Sequence, residues 1–219
     1  MDRDEKHVVL FDFDGVVVDS ETQYTQFWNA AGERLLGIKE FGRLVKGTTM
    51  KRILELHFQS VQNQIPQLEK ELEDFEQTMS FDFIDGFEKF IKELHLLKIP
   101  TAVVTSSDQK KMNRIYELHP DLPSLFDAIF TAEDFSKSKP DPECFLIGMK
   151  HFGVQPENTF VIEDSLMGLQ AGVDSGAVVI GLTTTLPKEE IGHLADATFP
   201  DFSSLHFEQL LQIKEQIKG

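Results

Sequence analysis

Five short apolar runs, each followed by polar residues, most constrain how this chain can fold. The runs are rich in β-branched and aromatic residues, and from residue 85 onward they alternate with helical patterns. Strands separated by helices of this length form a parallel sheet that is covered by helices on both faces. We therefore predict an α/β fold with a Rossmann-like core of three layers. The predicted strands lie at residues 7–13, 99–107, 126–134, 158–165 and 176–182.

Residues 21–80 differ from the rest of the chain because they contain no strand-like run. Apolar residues recur there at helical spacing, as in a stripe from Ile65 to Met79. This pattern predicts a small α-helical bundle inserted after the first strand. The predicted domains are a core of residues 1–18 and 84–219 and an inserted helical domain of residues 19–83.

The chain is strongly acidic, with a net charge of −16 over 219 residues and no basic cluster. This charge excludes nucleic acid and anionic membranes as main partners. No apolar run approaches the about 20 residues of a membrane span, and the charged residues before the first strand do not resemble a secretory signal. The single cysteine, Cys144, excludes an internal disulfide and fits a reducing cytoplasm. We expect a cytoplasmic protein that is a monomer, unless the stripe from Ile65 to Met79 supports a dimer.

Asp12 and Asp14 interrupt the first apolar run, directly before Gly15. Buried carboxylates are costly unless a cation or a partner compensates them, and a spacing of two places both on the same side of an extended strand. The Asp-x-Asp pattern alone is weak, because the chain has 37 acidic residues and repeats the pattern at Asp2 and Asp4. The second copy stands out because it lies at the carboxyl end of a strand, where parallel sheets bind ligands.

Two further segments carry groups that suit an anion. Thr105, Ser106 and Ser107 follow the second predicted strand, where hydroxyl groups and backbone amides can bind phosphate oxygens. The alternative is that Ser107 or Asp108 caps the helix that follows. Lys139 lies beside prolines and can neutralise carboxylates or a phosphate. The alternative for Lys139 is a solvated surface lysine.

Glu163 and Asp164 follow the fourth predicted strand as adjacent acids. They repel one another and the first acidic pair unless a cation lies between them, and oxygen ligands of this kind suit Mg²⁺. The alternative is an N-cap for a helix that begins near Leu166. Because chemically useful residues occur at four successive strand ends, we favour one shared site over four unrelated structural roles.

With these four segments the chain resembles the haloacid dehalogenase superfamily of phosphotransferases. The matching stretches are "DFDGVVVDS", "VVTSS", "KSKPDP" and "VIEDSLMGLQAG", in the order of the family's four motifs. The chain is most similar to the branch of β-phosphoglucomutase and phosphoglycolate phosphatase, in which a helical cap follows the first strand. The resemblance covers nearly the whole chain and implies that the inserted domain is a cap that sets substrate specificity.

The resemblance implies a phosphatase that acts on a small phosphorylated metabolite through an aspartyl phosphate. Asp12 resembles the nucleophile, and Asp14 resembles the general acid that later acts as the base. Thr105 and the Ser106 amide resemble the phosphate cradle. Lys139 resembles the cation that bridges the nucleophile and the phosphate.

The resemblance also implies Mg²⁺ as the cofactor. Asp164 resembles a metal ligand, beside the Asp12 carboxylate and the Asp14 backbone carbonyl. Glu163 is a further candidate ligand, which acts directly or through water.

The inserted domain distinguishes between two reactions of this branch. β-Phosphoglucomutases carry an arginine where Met50 stands, which holds a second phosphate, and usually a histidine where Tyr24 stands. Methionine cannot replace a bidentate arginine, so we favour the phosphatase, with a sugar-phosphate mutase as the alternative and an inactive binding module as a remote one. Lys46, Gly47 and Thr48 are candidate contacts for the leaving group.

Overall fold

The computed structural model describes residues 5–46 and 50–218. Within these residues the chain divides into two compact units. We call residues 5–18 and 83–218 the core unit, and residues 19–82 the cap unit.

The core unit contains a parallel sheet in which the described residues form six strands. Their spatial order is β3-β2-β1-β4-β5-β6, which confirms the predicted α/β fold with a parallel sheet. The last strand was not predicted, because it has three half-buried residues at the edge of the sheet and no apolar run. The strands are β1 (Val8–Phe11), β2 (Thr101–Val104), β3 (Ala128–Phe130), β4 (Thr159–Glu163), β5 (Val178–Leu182) and β6 (Ala197–Phe199).

Helices are the only regular elements in the described residues of the cap unit, as the spacing of apolar residues predicts. Trp28, Phe41 and Phe58 meet in its core, packed as tilted and edge-on aromatic pairs. Leu68 and Leu72 complete the same cluster. The α-helices of this unit are α1 (Glu21–Leu36), α2 (Phe41–Val45), α3 (Met50–His57) and α4 (Ile65–Glu76), with a 3₁₀ helix at Gln59–Gln64.

Helices cover the sheet of the core unit on both faces. Successive residues of a strand point to opposite faces, so Leu10 packs against Phe145 on one side, while Phe11 contacts Phe87 and Phe90 on the other. The helices are α5 (Phe87–Leu97), α6 (Gln109–Leu118), α7 (Glu143–Phe152), α8 (Leu166–Ser175), α9 (Lys188–Ile191) and α10 (Phe207–Lys218).

The carboxyl ends of the parallel strands lie along one side of the sheet, which we call the carboxyl edge. Phe11 is in register with Val103 and with Ile162, so the residues that follow β1, β2 and β4 come next to one another at this edge. None of the helices in the described part of the chain is long and apolar enough to span a membrane.

Candidate active site

Lys139 lies at the centre of the carboxyl edge, and only 6 % of its side chain is exposed. Its ammonium group is 2.5 Å from Asp12 Oδ1 and 2.7 Å from Glu163 Oε1, and it donates to the Val104 carbonyl at 3.1 Å. These contacts join the ends of β1, β2 and β4. Lys139 is therefore a buried, fully engaged cation, and the alternative of a solvated surface lysine does not apply.

Burial and charge act in opposite directions on the two partners of this ion pair. Burial raises the pKa of Asp12 to about 7. The charge of Lys139 lowers this pKa, but the nearby carboxylates of Glu163 and Asp14 partly cancel that effect. Burial alone would lower the pKa of Lys139, but the carboxylates of Asp12 and Glu163 outweigh it and raise that pKa. Lys139 thus stays charged, while Asp12 lacks enough positive charge around it to ionise easily.

Glu163 is fully buried and its two carboxylate oxygens have different partners. Oε1 accepts from Lys139, while Oε2 accepts from the backbone amides of Asp164 and Ser165 and from the Ser165 hydroxyl at 2.9–3.1 Å. Gly168 makes room for this arrangement, since a Cβ atom there would lie 1.7 Å from Oε1. Glu163 therefore orients Lys139 and holds the turn between β4 and α8.

Asp164 is buried beside the first acidic motif. The Thr185 hydroxyl, in the loop after β5, donates to Asp164 Oδ2, and the adjacent Thr184 donates to the Gly15 carbonyl at 2.5 Å. Gly15 has a φ of +77°, and a Cβ atom there would lie 2.0 Å from Asp164 Oδ2, so only glycine allows this close approach. Ser165, not Asp164, caps α8, so the N-cap alternative for Asp164 does not hold.

Asp14 has two partners that the sequence did not reveal. Lys111 Nζ lies 2.8 Å from both carboxylate oxygens, and the Ser107 hydroxyl donates to Oδ2 at 2.8 Å. Asp108 is the residue that caps α6, because its side chain accepts from the Lys111 amide. Of the two N-cap candidates, therefore, Asp108 takes this role and Ser107 contacts the acidic motif.

Thr105 and Ser106 lie in the turn between β2 and α6. Thr105 is buried, and its hydroxyl accepts from the Ser107 amide at 3.0 Å. Ser106 is exposed. The turn reaches the acidic residues through the Ser107 contact to Asp14 and the Lys139 contact to the Val104 carbonyl, so the predicted phosphate-binding residues and the predicted acids share one edge.

The acids of this edge fit a divalent cation. Ligand atoms of Asp12, Glu163 and Asp164 lie within 4.8 Å of one another, and all of them are carboxylate oxygens, which suit Mg²⁺. The site contains four carboxylates and two ammonium groups, which carry a net charge of −2 when all are ionised. We call this set the acidic cluster: Asp12, Asp14, Lys111, Lys139, Glu163 and Asp164.

The candidate substrate residues belong to the cap unit. The Tyr24 hydroxyl donates to Glu76 at 2.8 Å, and its ring packs on the helical core of that unit. Lys46 follows α2 and is half-buried. Gly47 and Thr48 lie outside the described residues.

Comparison with known proteins gives one family. The model of the haloacid dehalogenase-like hydrolases matches residues 9–182. The chain is 27 % identical to validoxylamine A 7'-phosphate phosphatase of Streptomyces hygroscopicus, covering 91 % of this chain and 96 % of that protein. It is also 27 % identical to 6-phosphogluconate phosphatase of Escherichia coli, covering 90 % and 91 % of the two chains.

Solved structures confirm the fold over nearly the full length. The structure of β-phosphoglucomutase from Clostridium difficile superposes with a TM-score of 0.74 at 22 % identity, covering 97 % of this chain and 99 % of that one. At this identity the likeness concerns the fold. The family match spans most of the chain, the two curated relatives named above are phosphatases, and the predicted family and enzyme class are thereby confirmed. This protein belongs to the haloacid dehalogenase-like hydrolases.

Proposed function

We propose that this protein is a Mg²⁺-dependent phosphatase that hydrolyses a small phosphorylated metabolite through an aspartyl phosphate on Asp12. The observation that carries the proposal is the contact of Lys139 with both Asp12 and Glu163 inside a buried cluster that still carries excess negative charge. A carboxylate attacking an anionic phosphate needs positive charge on both sides of the reacting atoms. Lys139 supplies one such charge.

In the first step, an Asp12 carboxylate oxygen forms a bond to phosphorus as the bond to the leaving oxygen breaks. Asp14 donates its proton to that oxygen, which leaves as an alcohol. Thr105, the Ser106 amide and Lys139 hold the phosphate oxygens. In the second step, Asp14, now a carboxylate, takes a proton from water as the water oxygen attacks phosphorus, which frees Asp12 and releases inorganic phosphate.

Mg²⁺ binding would complete the acidic cluster. We assign the Asp12 and Asp164 carboxylates and the Asp14 carbonyl as its protein ligands. Glu163 is assigned an orienting role, because both of its oxygens already accept hydrogen bonds from the protein. When bound, Mg²⁺ supplies positive charge that lowers the pKa of Asp12 and offsets its repulsion from the phosphate.

The substrate class follows from the relatives and from the cap unit. The relatives act on validoxylamine A 7'-phosphate and 6-phosphogluconate, so we propose a phosphorylated sugar or a related polyol as the substrate. A mutase must hold a second phosphate. Met50, at the start of α3, offers no charge for it, and Arg52 pairs with Glu55 at 3.6 Å. Phosphatase activity is therefore preferred over the mutase alternative.

The proposal is tested with p-nitrophenyl phosphate and a panel of sugar and polyol phosphates, with and without Mg²⁺. We expect Mg²⁺-dependent release of phosphate, and we expect Asp12→Asn to lower kcat/KM by at least about 10⁴-fold. Asp174→Asn, an exposed carboxylate of α8, is the matched control and keeps full activity. Turnover that survives Asp12→Asn contradicts the proposal, and an inactive wild type supports a binding module.

The mutase alternative has its own measurement. Wild-type protein receives β-glucose 1-phosphate and a bisphosphate primer. We expect free phosphate as the product. Glucose 6-phosphate formed without free phosphate contradicts the phosphatase assignment.

A further inference from the structure

We infer that Lys111 is a positioning residue for Asp14, and that it fixes where the proton is delivered to the leaving group. This inference rests on the proposed function, in which Asp14 protonates the leaving oxygen. Lys111 lies in α6, 97 residues from Asp14 in sequence, and none of the four motifs contains it.

The contact between Lys111 and Asp14 is symmetric. The ammonium group lies 2.8 Å from both carboxylate oxygens, and the Ser107 hydroxyl adds a third contact at 2.8 Å. About a fifth of each side chain is exposed, 23 % for Lys111 and 21 % for Asp14. The Asp14 carboxylate turns about two rotatable bonds, and these contacts hold it in one orientation from the same turn and helix. When Asp14 carries its proton, one oxygen can still accept from Lys111 while the other bears the proton.

The placement of Lys111 is unfavourable for α6 itself. Lys111 lies in the first turn, because Asp108 is the N-cap and accepts from its amide. The amino end of a helix carries partial positive charge, which repels a cation. The neighbouring Lys110 is exposed to water, whereas Lys111 turns back to Asp14. A charge that opposes the local preference of its helix and is satisfied at the reaction site indicates a functional role.

A misplaced general acid has a specific kinetic effect. Protonation matters most when the leaving oxygen is strongly basic, and it matters little when the leaving group is stable as an anion. The ratio kcat/KM reports the step in which the leaving group departs. If Lys111 positions Asp14, its loss must therefore affect poor leaving groups more than good ones, which a merely structural role does not do.

The test compares phenyl phosphate with p-nitrophenyl phosphate in Lys111→Met, Lys111→Arg, Asp14→Asn and the matched control Lys110→Met. We expect Lys111→Met to lower kcat/KM for phenyl phosphate about tenfold more than for p-nitrophenyl phosphate. Asp14→Asn shows the same selectivity more strongly, Lys111→Arg restores part of the loss, and Lys110→Met matches wild type. Thermal unfolding of each variant verifies that it is folded.

The outcomes separate the inference from the proposed function. Equal loss with both substrates in folded Lys111→Met, or no loss, overturns the inference while a selective Asp14→Asn still supports the role of Asp14. A nonselective Asp14→Asn overturns the role of Asp14 and this inference with it. Activity that persists in Asp12→Asn contradicts the proposed function itself.

Discussion

Two buried lysines lie at opposite ends of the strands and have different surroundings. One is at the carboxyl edge, and the other is where the strands begin, which we call the amino edge. Lys139 is at the carboxyl edge, within the acidic cluster. Lys214 of α10 is at the amino edge, 2.9 Å from Glu5 Oε2, 2.5 Å from Asn158 Oδ1 and 3.2 Å from His7 Nε2. His7 and Asn158 directly precede β1 and β4, so Lys214 ties the last helix to the start of two central strands.

The difference between the two sites is the balance of charge. Lys214 pairs with Glu5, whose side chain is 37 % exposed and keeps contact with water. Lys139 faces Glu163, whose side chain is 1 % exposed, and Asp12, which burial disfavours as an anion. A buried cation with one hydrated carboxylate serves the fold. A buried cation among surplus carboxylates marks a place prepared for more positive charge, as phosphoryl transfer requires.

We expect the largest effect on stability and activity from the removal of Lys139. Lys139→Met leaves Glu163 buried without its cation, so we expect the free energy of unfolding to fall by about 3–5 kcal/mol. Activity falls by at least about 10²–10³-fold. Urea unfolding and steady-state kinetics measure the two effects. Lys137→Met is the matched control, because that side chain is 67 % exposed, and a Lys139→Met protein as active as this control would contradict the comparison.

The acidic cluster also predicts how stability depends on pH. The pKa of Asp12 is about 7 in the folded protein without metal, whereas an aspartate that is not buried has a pKa of 3.8. Between these values the folded protein holds a proton that the unfolded chain releases. Stability therefore falls as pH rises through this window, by about 2–3 kcal/mol between pH 5 and pH 8. Urea unfolding in EDTA measures this, with Asp12→Asn as the reference. If both proteins show the same pH dependence of stability, the raised pKa of Asp12 in the acidic cluster is contradicted.

Lys214→Met gives a smaller and purely structural effect. The change removes contacts to Glu5 and Asn158 but leaves a partly hydrated carboxylate, so we expect a loss of about 1–3 kcal/mol in the free energy of unfolding. The kcat of the folded protein stays that of wild type. A clear fall in kcat at temperatures where the variant is folded would show that the amino edge contributes to catalysis.

Thr185→Val probes the support of the proposed metal site, and we expect it to have the smallest effect. The Thr185 hydroxyl donates to Asp164, and loss of such an orienting contact weakens metal binding by about tenfold. The Mg²⁺ concentration dependence of thermal unfolding measures this without activity. Thr183→Val is the control, because the backbone hydrogen bond from the Thr183 amide to the Phe199 carbonyl is kept in this variant. Equal Mg²⁺ affinities in the two variants would remove Thr185 from the site.

The sequence predicted the acids because they follow short apolar runs, and a parallel sheet must bring such strand ends together. It did not reveal Lys111, Thr184 and Thr185, whose partners lie far away in the chain. The only signal for the threonines was their position after a strand. The choice between Ser107 and Asp108 as the helix cap also required the structure, because both side chains suit that role locally.

The most direct test of the central claim is chemical identification of the nucleophile. Wild-type protein turning over p-nitrophenyl phosphate with Mg²⁺ is quenched in acid and reduced with borohydride, which converts an acyl phosphate to an alcohol. Mass spectrometry of the peptide that contains Asp12 and Asp14 then locates the change. We predict reduction at Asp12, absent in Asp12→Asn and in protein without substrate. Reduction at Asp14 or Asp164, with Asp12 left intact, would contradict the account.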